Sequence, residues 1–285
     1  MPYTTPCSVH CSIYYAIYSV ACSFDLTSPS PCVTLCCMES IISISGFAMQ
    51  FGKTKIINDL SFEVKRGETF GLLGSNGCGK TTTIRALLGI YPPTSGKLLV
   101  DGAPYSVSGG IKLGYLPEER GLYKKEKVLD VMVYFGQLKG MTREEARDEA
   151  LKFLERVKLS DKAATRLDKL SGGQQQKIQL GITIMDNPEL LILDEPTKGF
   201  DPVNRRLLMN IIEEHQQKGA TVIMVTHQME EVERLCDRII LLKDGKAHAY
   251  GTVAEVKKKF GGKSLDDIFV QVYGDENEEE EQDNA

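Results

Sequence analysis

From Ile41 onward the chain runs as short apolar segments separated by turn-forming residues. Segments 41–44, 55–64 and 98–100 have the apolar and β-branched content of strands, and Asp101-Gly102 after the last is a two-residue hairpin turn signal. Together they predict an antiparallel sheet layer. Segment 68–73 is an apolar run ending in glycine-rich sequence, and 81–90 reads as a helix stopped near Gly89 and Pro92. The predicted order there is strand, glycine loop, helix.

The period then changes. Between Lys124 and Asn187 apolar residues recur at helical spacing: first 128–139, then a helix opened by the capping box Thr142-Arg143-Glu144-Glu145, with Ala146, Ala150, Phe153 and Val157 on one face. Past Pro188, the apolar runs 190–193 and 221–225 flank a helical stretch at 204–217. That is the βαβ rhythm of a parallel sheet, whose ligands bind at the carboxyl ends of the strands. A strand at 238–242, a turn at Lys243-Asp244-Gly245-Lys246 and a helix capped by Thr252 and Glu255 close the pattern. No internal repeat is visible, so one such unit is expected. The expected division is a disordered or non-native extension at 1–37, a main domain at 38–262 with an inserted helical lobe at about 118–188, and a C-terminal segment with an acidic tail at 263–285.

Composition changes this picture little. With 42% hydrophobic and 26% charged residues, the 285-residue chain reads as an ordinary globular protein. The net charge of −5 belongs to the tail: the eleven residues from Asp275 hold seven acidic side chains, and without them the remainder is +2. A near-neutral body lacks the basic footprint of a nucleic-acid groove, and the tail reads as a solvated, disordered end. Cys7, Cys11, Cys22, Cys32, Cys36 and Cys37 all precede the patterned region, leaving Cys78 and Cys236 in the body, which is no disulfide framework. His10 and these cysteines show no zinc-module spacing. The first Lys or Arg is Lys53, so the apolar run 13–22 lacks the charged leader of a secretory signal, and Met38 is the expected start. No run reaches the roughly 18–20 apolar residues of a spanning helix.

The strongest chemical signal is Gly74-Ser75-Asn76-Gly77-Cys78-Gly79-Lys80-Thr81, which fits G-x-x-x-x-G-K-[ST] between a predicted strand and a predicted helix. Such a loop turns its N–H groups toward phosphate oxygens. Lys80 adds a point charge, the Thr81 hydroxyl can ligate Mg²⁺, and Thr82 continues the cradle. Cys78 reads as a small filler. The apolar strand at 190–193 ends in two adjacent carboxylates, Asp194 and Glu195, which strand alternation points apart. Asp194 then suits the Mg²⁺ shell and Glu195 the positioning of an attacking water. Ser171-Gly172-Gly173-Gln174 opens a helix, with Ser171 as N-cap and two glycines exposing N–H groups. One site needs one phosphate cradle. The second is expected to serve a nucleotide held by another copy, in a head-to-tail dimer that sandwiches ATP.

In this order, the strings GSNGCGKT, LSGGQ and LLILDEP resemble the ATP-binding cassette (ABC) ATPases, over residues 41–260. The resemblance implies that the main domain at 38–262 is an ABC ATPase domain with an α/β fold: a P-loop NTPase core with a parallel sheet, an antiparallel β layer and an inserted α-helical subdomain. It implies ATP and Mg²⁺ as cofactors and ATP hydrolysis as the reaction. It also implies Phe51 as the aromatic that stacks on adenine, Asp201 as a residue of the loop contacting the partner subunit, and His227 as the γ-phosphate switch. Each has a local reading beside it: Phe51 as core, Asp201 as the start of the next helix, His227 as a plain strand-end residue. The family's usual glutamine, which touches Mg²⁺, is here Glu118. A carboxylate still binds Mg²⁺, but its charge near phosphates calls for the metal or a basic neighbour such as Arg120. The string from Tyr115 to Tyr123 is similar to ATP-binding subunits of bacterial ABC-2-type exporters, including sodium- and drug-efflux systems. The implied partners are a separate transmembrane permease and a second ABC ATPase domain, at the cytoplasmic face of the cell membrane. The alternative is a soluble ABC ATPase acting on ribosomes or nucleic acid. Such proteins carry paired cassettes, long coiled coils or zinc modules, which this sequence lacks, and no direct nucleic-acid contact is expected.

Overall fold

The computed structural model describes residues 39–106, 110–119 and 121–283, with the backbone alone from 275 onward. The expectations for residues 1–37, Met38 and Arg120 lie outside the described residues.

Two sheets form the frame. The first is antiparallel, in the order β2 (Thr54–Lys65), β1 (Ser40–Phe51), β4 (Ser95–Val100). Strand β1 outruns the predicted 41–44 because its apolar pattern is interrupted at Ser45-Gly46, where the pairing shifts register between Ile44 and Phe47 and resumes with the same partner. The Asp101-Gly102 turn forms with both residues at positive φ, but only a single bridge between Val100 and Ala103 closes it.

The second sheet has the order β5 (Leu113–Leu116), β6 (Leu190–Asp194), β7 (Thr221–Val225), β3 (Thr69–Leu73), β8 (Arg238–Lys243), β9 (Lys246–Thr252). All neighbours are parallel except the final pair, β8 and β9. Strands β3, β6 and β7 are buried along their whole length, as a sheet covered on both faces demands. Alternate side chains of β6, β7 and β8 feed two cores. Leu190, Ile192, Ile223, Val225, Ile240 and Leu242 pack toward the antiparallel sheet and α1 (Lys80–Leu87), while Leu191, Leu193, Val222, Met224, Ile239 and Leu241 pack toward the remaining helices. Strand β5 was absent from the sequence pattern because four residues, one of them Gly114, with Pro117 next, are too few to show a period.

The helical lobe consists of α2 (Val128–Leu138), α3 (Arg143–Arg156) and α4 (Gly172–Ile184), which contact one another. Thr142 and Glu145 make the expected capping box at α3. Beyond it come α5 (Pro202–Gln217), α6 (Met229–Leu235), α7 (Val253–Lys259) and α8 (Leu265–Asp283). Helix α8 corrects the expectation of a disordered tail. Leu265, Ile268, Val272 and Tyr273 recur at helical spacing in the core, and Ser264 Oγ accepts the Asp267 N–H at 3.1 Å. The glutamates that follow are good helix formers, so the backbone continues helical to Asp283. Among the described residues no helix is long and apolar enough to cross a membrane.

Register brings the site together. Leu72 lies beside Val225, Asp194 beside Val225, Leu73 beside Leu241 and Leu116 beside Leu193. Strands β3, β5, β6 and β7 therefore end level. The residues that follow them, Gly74, Glu118, Glu195 and His227, emerge at one edge of the sheet.

Candidate active site

The loop from Gly74 to Gly79 wraps the start of α1 because its glycines permit what a side chain would forbid. Gly79 has φ 104, and a Cβ there would meet Ile57 Cδ1 at 2.4 Å. At Gly74 a Cβ would meet the Leu242 carbonyl oxygen at 2.6 Å. The loop borders a cavity of about 480 Å³, also lined by Lys80, Thr81 and Thr82 at the N-terminus of α1. Lys80 Nζ donates to the Gly74 and Ser75 carbonyls at 2.8 and 2.7 Å, which holds the ammonium within the loop. Cys78 is buried, and Lys80 lies 3.9 Å from its sulfur; it does not line the cavity.

Opposite the loop stand the two carboxylates. Alternation pointed them to opposite faces, but the structure corrects this: β6 ends at Asp194, Glu195 turns to φ 51, and both line the same cavity. A non-glycine residue in the left-handed region is held there by its surroundings. Here the Glu195 N–H donates to the Val225 carbonyl at 2.8 Å. Asp194 Oδ2 accepts the Thr81 hydroxyl at 2.9 Å, and burial pushes the Asp194 carboxyl up to about 6. Glu195 Oε1 is 2.8 Å from His227 Nδ1, whereas its Oε2 is buried without a hydrogen-bond partner. In the tautomer with its proton on Nδ1, the imidazole donates to Oε1.

The helix end at Ser171 forms as expected. Ser171 Oγ accepts the Gln174 N–H, and Gln174 Oε1 accepts the Ser171 N–H at 2.9 Å, with Gly172 opening α4. Yet Ser171, Gly173 and Gln174 line a different groove, together with Asp201. Asp201 caps α5 by accepting the Val203 and Asn204 N–H groups at 3.0 Å each, so its local reading as a helix start is correct.

A phosphate loop, a carboxylate pair and a second capped helix end on this fold invite comparison with known proteins. The ABC transporter family profile matches residues 57–198. An ABC transporter ATP-binding protein of Methanocaldococcus jannaschii is 46% identical over 222 residues, covering 78% of this chain and 81% of that one. The chain belongs to the ABC transporter ATP-binding proteins. A Nod factor export ATP-binding protein of Rhizobium is 36% identical over 231 residues, covering 80% of this chain and 76% of its own. A solved ATP-binding subunit of an ABC transporter superposes with a TM-score of 0.75 at 28% identity, over 82% of this chain and 99% of that one. The chain is thus an ATP-binding, ATP-hydrolysing ABC protein with the P-loop NTPase fold, its antiparallel layer and its helical lobe.

Several residues of this ABC protein were invisible to sequence reading. Lys198 Nζ sits 2.6 Å from Glu118 Oε1, a basic neighbour of the kind that Glu118 calls for. Arg85 pairs instead with Glu119, at 3.3 Å. Lys198 and Glu118 lie 80 positions apart, so only the tertiary structure pairs them. Phe269 and Tyr273 of α8 line the cavity as well, and the Tyr273 hydroxyl donates to the Leu242 carbonyl at 3.0 Å, the same carbonyl that crowds Gly74. Their spacing of four marks one helix face, but nothing in it marks the phosphate loop as neighbour. Phe51 is not core: its ring is 46% exposed at the end of β1, edge-on to Tyr91, and does not line the cavity.

Among the described residues no cluster of three or more His, Cys, Asp or Glu side chains forms a metal cage. The Thr81 hydroxyl against Asp194, with Glu118 lining the same cavity, is instead the sparse oxygen donor set that Mg²⁺ shares with water and phosphate. The residues present fit that ion. The raised Asp194 carboxyl also makes a stability statement. An acid whose folded pKa lies near 6, against about 4 when unfolded, weakens the fold above pH 6, and that cost fades as pH falls toward 4. Asp194→Asn is expected to stabilise the nucleotide-free protein at pH 7 by up to about 3 kcal/mol, with the gain shrinking toward pH 4. Thermal melting across that range tests it, and a variant no more stable at pH 7 would contradict it.

Proposed function

We propose that this subunit binds MgATP in the phosphate-loop cavity, closes head-to-tail on a second ABC ATPase domain, and energises export through a separate transmembrane permease. The observation that carries the dimer is the separation of the two grooves. Ser171, Gly173 and Gln174 share no groove with Gly74, Lys80 or Glu195, so the second anion-binding helix end is free to serve the nucleotide of another copy. Asp201 borders that same groove, at the face a partner would meet.

In this reading, the loop N–H groups and Lys80 bind the phosphates, and Phe51, exposed at the end of β1, stacks on adenine. Thr81, Asp194 and Glu118 hold Mg²⁺, which supplies charge neutralisation when bound. Glu195, which lines the cavity, positions the attacking water. His227, bonded to Oε1, fixes that carboxylate and faces the γ-phosphate end. Lys198 offsets the charge that Glu118 adds, and its exposed pairing contributes at most about 1 kcal/mol on its own.

Two observations support a membrane partner and outward transport. Tyr123, Tyr134 and Leu138 are exposed on or beside α2, with Tyr123 and Tyr134 rings 6.0 Å apart, an apolar surface of the kind that receives another protein. The similarity to the Nod factor export protein supports export. The native protein is expected to co-purify from the cytoplasmic face of membranes with a hydrophobic subunit. Recovery from the soluble fraction alone, without such a partner, would overturn the reading. Tyr134→Glu is expected to release it from the membrane fraction; full retention would remove α2 as the docking face.

A further inference from the structure

Glu231, on α6, is 1% exposed and has no part in the reading above. Its neighbours Met229, Val232 and Leu235 are apolar, as a helix face against a core should be. A carboxylate at such a position costs free energy unless its oxygens are bonded. Those bonds show what it does. Glu231 Oε1 accepts the Thr197 hydroxyl, Oε2 accepts the Thr226 hydroxyl at 3.2 Å, and Arg205 Nε lies 3.8 Å from Oε1. Thr197 follows Glu195 by two residues, and Thr226 immediately precedes His227.

The two loops leaving β6 and β7 are therefore joined at three places: by the Glu195 N–H on the Val225 carbonyl, by the Glu195–His227 contact, and by Glu231, which bonds Thr197 of one loop and Thr226 of the other. Other bonds hold each loop singly. Gln176 Nε2 donates to the Glu195 and Pro196 carbonyls at 3.1 and 2.9 Å, and Thr226 Oγ1 accepts the Gln228 N–H at 3.1 Å. Beside the Glu195 N–H on the Val225 carbonyl, the bonds of Glu231 tie one loop to the other through side chains of both. The Val225 carbonyl holds the Glu195 backbone at φ 51, and Glu231 holds the residues that flank the pair, Thr197 and Thr226, so loosening it lets the Glu195–His227 side-chain contact open.

We propose that Glu231 is a positioning residue for ATP hydrolysis, locking the loop of Glu195 to the loop of His227 so that their 2.8 Å contact is kept during turnover. The proposal rests on reading Glu195 and His227 as the catalytic pair. It is tested on the full chain with MgATP, using the isosteric Thr197→Val and Thr226→Val, then Glu231→Gln and Glu231→Ala, with Glu195→Gln and His227→Ala as controls. Removing both legs in Glu231→Ala is expected to lower kcat about ten- to hundredfold, with MgATP affinity within about twofold of wild type. Each valine variant should lose less, and Glu231→Gln, which keeps an acceptor, should recover part of the rate.

A folded Glu231→Ala with wild-type kcat would overturn the proposal. So would losses that merely track melting temperature across the series, or that appear as weaker MgATP binding with kcat intact. If Glu195→Gln and His227→Ala themselves hydrolyse at the wild-type rate, the underlying reading fails first. If they are inactive while Glu231→Ala is not, the positioning role alone fails.

Discussion

Glu195→Gln is expected to bind MgATP within about threefold of wild type and to hydrolyse it at least a hundredfold more slowly, a loss typical of removing one group that acts in the transition state. The asymmetry follows from the two oxygens. The amide oxygen can still accept from His227 Nδ1, so the 2.8 Å contact survives and the loop keeps its shape. The other oxygen becomes an NH₂ group, and an amide cannot take up the proton of an attacking water as a carboxylate can. Nothing on the phosphate-loop side of the cavity changes, so binding is spared. Because bound ATP then persists, the variant is also expected to accumulate an ATP-dependent dimer. Phosphate release assays and size-exclusion chromatography with and without ATP check both halves. Wild-type turnover would remove Glu195 from the mechanism, and an inactive variant that stays monomeric with ATP would count against the sandwich.

Lys80→Ala should act on the other half of the site, weakening ATP binding at least about thirtyfold, the lower end for truncating one member of a buried charged pair. The ammonium sits between the Gly74 and Ser75 carbonyls, so the loop itself sets its position. Its removal takes away both the counter-charge for phosphate and two bonds that brace the loop. Titration of MgATP against the purified variant measures the loss. Affinity within threefold of wild type would show that the backbone N–H groups alone bind the phosphates. The two variants thus separate: one binds without turnover, the other scarcely binds.

How much of this was legible beforehand depended on how local each signal is. The phosphate loop could be read because its chemistry and its conformation share one stretch: the glycines that a Cβ would disrupt at positions 74 and 79 precede the lysine they present. The capping boxes at Thr142, Ser171 and Thr252 were equally local, each needing only residues three apart. Strand β5 was too short to show a period, and α6 was too short to be distinguished from the loop before it. The acidic tail misled for another reason. Charge alone argued for a disordered end, whereas the apolar spacing upstream of it anchors α8 and carries the helix onward.

The sequence by itself determined that this chain handles ATP, since the phosphate loop, the Asp194-Glu195 pair and the Ser171 helix end each carry their chemistry in consecutive residues. It also determined that strands 190–193 and 221–225 would be buried on both sides, because an unbroken apolar run has no polar face to leave in water. Only the tertiary structure decided how the two carboxylates share one cavity, because the turn to φ 51 at Glu195 is set by the Val225 carbonyl on a neighbouring strand. The same holds for Lys198 beside Glu118, for Phe269 and Tyr273 at the phosphate loop, and for Glu231 between Thr197 and Thr226. These are pairings between residues far apart in the chain or on different elements. They depend on the register of parallel strands ending level, which no short stretch of sequence encodes.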